Sequence, residues 1–110
     1  AIDRADNAVA HLYDPLHPAV LRLIAGVIRE AKAVNMPVSV CGEMAGEPSM
    51  TKVLLGMGLT DFSMHFNQLL SVKKEILRSD MSVLKQSVDE LLKAIEPEEL
   101  QAALQKINAA

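Results

Sequence analysis

A chain of 110 residues suffices for one small domain or for part of a larger one. Half of it is hydrophobic, which argues against global disorder, yet aromatics supply only 3%, so the core must rest on Leu, Val, Ile, Ala and Met. The net charge of -3 offers no basic face for nucleic acid, and the lone cysteine rules out an internal disulfide or a multi-cysteine zinc site.

No apolar run approaches the ~20 residues that span a bilayer, and no secretory leader is evident, so a cytoplasmic location away from the membrane is expected. The opening Ala1-Ile2-Asp3-Arg4 lacks an initiator methionine and has the look of a piece cut from a longer protein.

In chain order, residues 1–16 read as an irregular polar stretch with Asp3-Arg4 and Asp14-Pro15 as turn material. Pro18 suits the first turn of a helix in which Val20, Ile24, Val27, Ile28 and Ala31 recur at helical spacing, through about Val34. Asn35 is a helix stop, and Met36-Pro37 leads into a strand, Val38–Cys41. A loop is expected from Gly42 to Pro48. It leads to a helix from Ser49 to about Met57 carrying Met50, Val53, Leu54 and Met57, with Gly58 as left-handed cap. A second strand, Asp61–His65, and a helix from Leu69 to Arg78 with Val72, Ile76 and Leu77 inward complete a βα alternation.

Such alternation implies parallel strands joined by helical crossovers, hence an α/β fold. Two strands buried on both faces need neighbours that this chain does not supply. From residue 80 the pattern changes. Asp80 or Ser82 caps a helix containing Leu84, Val88, Leu91, Leu92 and Ile95, and Pro97-Glu98-Glu99 opens a last helix lined by Leu100, Leu104 and Ile107. An αα-hairpin over 80–110 thus follows an α/β part over 1–79.

Cys41 ends the first strand and precedes Gly42-Glu43-Met44-Ala45-Gly46. A strand end that runs into a glycine turn and a helix is where α/β architectures place chemistry. On residue type alone, a lone cysteine is more often buried and inert. A redox-sensing thiol is a further option.

Several segments together resemble the C-terminal end of enzyme I of the bacterial phosphotransferase system, the phosphoenolpyruvate–protein phosphotransferases. They are Asp3-Arg4, His11-Leu12-Tyr13-Asp14-Pro15-Leu16-His17-Pro18, Cys41–Gly46, Leu54-Leu55-Gly56-Met57-Gly58-Leu59 and Phe62-Ser63-Met64. The Cys-Gly-Glu-Met-Ala-Gly segment is the most specific of these. Pyruvate phosphate dikinase has a similar turn, but the C-terminal hairpin favours enzyme I.

The resemblance implies the last βα units of a phosphoenolpyruvate-binding TIM (βα)8 barrel. Such a barrel passes the phosphoryl group to an enzyme histidine and on to a small phosphocarrier protein. It implies that Cys41 protonates the enolate to give pyruvate and that Arg4 binds the substrate phosphate. Magnesium belongs to the intact enzyme, with its ligands outside this chain, and the C-terminal region of the family carries homodimer contacts. An isolated fragment should be inactive and, with open strand edges, prone to self-association. The wording Leu16–Arg22 leans to the nitrogen-regulatory over the sugar-uptake branch.

The chemistry suits both residues. A guanidinium fork matches a phosphate with paired hydrogen bonds, and thiols, which ionise near ~8.5, are mostly protonated at neutral pH and can give a proton to a carbanion-like carbon. Glu43 either orients the turn or is simply solvated. His11, His17 and His65 fit no metal spacing and read as solvated or capping, although His65 ends a strand and can face the same pocket. A rival reading makes the segment a dimerisation module with an incidental cysteine.

Overall fold

In the computed structural model, residues 2–110 are described; Ala1, part of the irregular segment expected over 1–16, lies outside them. A 3-10 turn at Ala10–Leu12 is followed by α1, Pro18–Ala33. Pro18 needs no N–H at the first helical position, and the His17 ring nitrogen Nδ1 accepts the Ala19 amide at 3.1 Å. Asn35 stops α1 as expected. At φ 54° it adopts the left-handed conformation, and the amides of Asn35 and Met36 donate back to the carbonyls of Lys32 and Ala31.

The buried line of α1 is Leu21 and Ile28, with Ile24 half-buried beside them. This corrects the expected stripe, because Val27 is 60% exposed and shares the outer face with Leu23. Apolar residues surround most of this helix, so spacing alone does not select the side that packs.

Strand β1, Ser39–Val40, pairs in parallel with β2, Asp61–Phe62, in the register Ser39 to Asp61 and Val40 to Phe62. Both are shorter than the expected Val38–Cys41 and Asp61–His65. Each has one neighbour among the described residues, so only one ladder fixes the backbone, extended by the Ser63 amide donating to the Val40 carbonyl.

The crossover holds two helices, α2 at Glu43–Gly46 and α3 at Pro48–Gly56. The first replaces the expected loop. Four residues are too few to show a hydrophobic period. Glu47 caps α3 through its carboxylate, and every residue from Met50 to Gly56 is buried. Gly58, at φ 98°, closes the helix: its amide donates to Leu55 O, and the Leu59 amide donates to Leu54 O, with Leu54 and Leu59 both fully buried.

After a 3-10 turn at Phe66–Gln68 comes α4, Leu69–Leu77. Val72 is buried as expected, whereas Ile76 and Leu77, expected inward, are exposed. They lie on the outer face with Phe66, Leu69 and Leu70, all exposed.

The hairpin consists of α5, Met81–Leu91, and α6, Pro97–Ala109. Asp80 caps α5, and Ser82, through its hydroxyl and then its amide, holds the Asp80 carboxyl below the usual carboxylate range. Ile95, expected inside α5, lies in the connecting turn and is exposed. Glu96 and Glu99 form a capping box at the start of α6. Leu100, Leu104 and Ile107 are buried as expected.

Helix α3 is the hub, packing against α2, α4, α5 and α6. One continuous core runs from Leu21 and Ile28 through Val53, Leu54 and Leu59 to Leu84, Val88, Leu91 and Leu104. Arg22 fastens α1 to the hairpin by donating to the carbonyls of Leu92 and Ala94, and the buried Lys52 of α3 donates to Ala110 O at 2.6 Å.

Candidate active site

The candidate site lies where β1 and β2 end. Cys41 follows β1 directly and is exposed. Gly42 has φ 82° and ψ −165°, a conformation essentially closed to residues with a β-carbon. A Cβ at Gly42 would meet nothing within 4 Å, so the glycine is demanded by the backbone turn and not by crowding.

Gly46 is buried, and a Cβ there would meet the end of the Gln68 side chain, which would have to swing aside to admit it. Gln68 belongs to the turn after β2, so the turns following the two parallel strands pack against each other. A shallow groove lined by Gly42, Glu43, Ser63, Met64, His65 and Gln68 runs between them.

Arg4 reaches this turn from the irregular leading segment. Its Nη1 lies 3.7 Å from Glu43 Oε1, and the Tyr13 hydroxyl donates to Glu43 Oε2 at 3.3 Å. Arg4 and Tyr13 line a second groove with Leu12 and Asp14. Glu43 lines the first groove and touches two residues of the second, Arg4 and Tyr13. Of the two residues singled out from sequence, Arg4 pairs with the carboxylate two positions after Cys41, while Cys41 itself lines neither groove.

Tyr13 was not singled out as a site residue. Its contact with Glu43 spans thirty positions in sequence, so no local pattern signals it. His65 shares the groove with Glu43; its Nδ1 lies 3.0 Å from Asn67 Oδ1 and its ring tilts against Phe66. His17 caps α1, in line with expectation. Among the described residues no group of three or more His, Cys, Asp or Glu side chains is placed to hold a metal ion, and no helix is long and apolar enough to cross a membrane.

Cys41 thus lies at the C-terminal end of a parallel strand, the edge at which α/β folds bind ligands, and Arg4 approaches that edge from the leading segment. Residues 1–81 match the family described as PEP-utilising enzyme, PEP-binding domain, and the chain belongs to that family.

More particularly, it is 64% identical over 107 residues to the phosphoenolpyruvate-protein phosphotransferase of Cupriavidus necator, covering 97% of this chain and 18% of that protein. Similar matches are the proteins of the same name from Enterococcus faecalis, 40% identical over 84% of this chain, and Listeria monocytogenes, 35% identical over 99%. The chain spans less than a fifth of the length of these relatives, 16% and 19% in the latter two.

Proposed function

We propose that this chain is the C-terminal part of the phosphoenolpyruvate-binding region of a phosphoenolpyruvate–protein phosphotransferase. Residues 1–79 would supply the last βα units of a TIM barrel and residues 80–110 a terminal hairpin. The intact enzyme would move the phosphoryl group from phosphoenolpyruvate to one of its own histidines and then to a small phosphocarrier protein, in the cytoplasm. It would serve sugar uptake or its nitrogen-regulatory counterpart.

The observation that carries this reading is Arg4 held against the Cys41 turn by Glu43. Arg4 offers a fork of N–H donors to the substrate phosphate. Once the phosphoryl group has left, the Cys41 thiol gives its proton to the methylene carbon of the enolate. A C–H bond forms, the S–H bond breaks, pyruvate leaves, and solvent reprotonates the thiolate. Magnesium belongs to the intact enzyme in this reading. The described residues hold no ligand set that fits it, so no step here runs through the metal.

The test is pyruvate formation by the full-length enzyme. Cys41→Ala should abolish most turnover, and Arg4→Ala should raise KM for phosphoenolpyruvate by about tenfold or more, the scale of one lost charged contact to substrate. Unchanged kinetics in both variants would defeat the proposal.

A second reading, a dimerisation module, is favoured by the outward apolar residues Leu23 and Val27 of α1 and Leu70 and Leu77 of α4, each at least 60% exposed. Sedimentation of the 110-residue chain tests it: a concentration-independent monomer would remove that support.

A further inference from the structure

We infer that Glu43 is a positioning residue for Arg4 and that Tyr13 sets the orientation of the Glu43 carboxylate. The inference rests on the phosphate-binding role proposed for Arg4. Three observations lead to it.

Glu43 holds two residues of the leading segment at once, one on each carboxylate oxygen: Arg4 Nη1 on Oε1 and the Tyr13 hydroxyl on Oε2. The Arg4 and Glu43 side chains are 64% and 75% exposed, a setting in which an ion pair adds little to stability, so its consequence is geometric. The Gly42 backbone, fixed in a conformation reserved for glycine, determines where Glu43 starts α2.

At 3.7 Å the carboxylate restrains the guanidinium by charge without consuming its N–H donors, which need closer approach. The fork that would grip a phosphate is thus held in place and left unoccupied. A long arginine side chain on an irregular segment otherwise samples many rotamers, and each one frozen on binding weakens affinity. Glu43 settles part of that ordering before the ligand arrives. Tyr13 keeps the carboxylate from rotating away.

The experiment uses the full-length enzyme, measuring pyruvate formation with Glu43→Gln, Arg4→Ala and the double variant, and with Tyr13→Phe as a milder probe. Glu43→Gln keeps an acceptor for Tyr13 and removes the charge. It should raise KM for phosphoenolpyruvate about 2- to 5-fold with kcat within about twofold, and add nothing further in the Arg4→Ala background. Tyr13→Phe should shift KM in the same direction by less.

Equal losses from Glu43→Gln in both backgrounds, a loss confined to kcat, no change, or a lowered KM from relief of repulsion toward the phosphate would each overturn the inference. If Arg4→Ala itself leaves KM unaltered, the phosphate role of Arg4 fails first and the inference falls with it. A weakened Arg4→Ala enzyme without coupling to Glu43 removes the inference alone.

Discussion

Gly56 of α3 lies directly against Val88 of α5. A β-carbon at Gly56 would come within 2.8 Å of the Leu84 carbonyl oxygen and 2.9 Å of Val88 Cβ. The two helices meet backbone to side chain at this point, which seats the hairpin on the α/β part.

Gly56→Ala should therefore destabilise the protein, although alanine is the better helix former by up to ~1 kcal/mol. Overpacking against a backbone oxygen that cannot yield costs about 1–3 kcal/mol and outweighs that gain. The check is the urea midpoint at unchanged slope. An increase in the midpoint would show that α5 shifts freely away from α3.

Gly42→Ala acts through conformation alone. With open space around the added methyl, its cost is the strain of holding φ 82° and ψ −165°, about 1–3 kcal/mol. If the turn relaxes instead, Cys41 and Glu43 move relative to each other. Turnover should then fall more than stability does, as measured by comparing kcat/KM with the unfolding midpoint. Wild-type values for both would mean that the turn does not need glycine.

Much of this was readable beforehand, where one residue decides the local outcome. Pro18, Asn35, Gly58, Asp80 and Pro97 each fix a helix end by backbone or capping chemistry, and each does so here. The side of a helix that packs was less legible. Val27 in α1 and Ile76 and Leu77 in α4 belong to apolar stripes as regular as those that are buried. Periodicity records that a face is apolar and not what covers it. At the site, Cys41 and Arg4 were recognisable by motif, whereas the Tyr13–Glu43 contact exists only once the chain folds back across thirty positions.

Asp80 gives a pH dependence with a definite sign. Ser82 donates its hydroxyl and amide to the carboxylate, so the folded state holds the carboxyl ionised to lower pH than the unfolded state does. This contribution is complete above the unfolded value of about 3.9 and is lost as pH falls through the lower folded value. Asp80→Asn, which still caps the helix, should flatten that acid limb in urea midpoints followed from about pH 6 to 3. Parallel loss in both proteins would assign the acid sensitivity elsewhere.

The central claim is that the Cys41 thiol carries the proton to the enolate. The most direct measurement is exchange of pyruvate methyl hydrogens with deuterium oxide in the full-length enzyme and its Cys41→Ala variant, alongside binding of phosphoenolpyruvate. The account predicts exchange lowered at least about 100-fold, the lower end of what a positioned general acid contributes, with binding changed less than about threefold. Exchange at the wild-type rate in Cys41→Ala would contradict it.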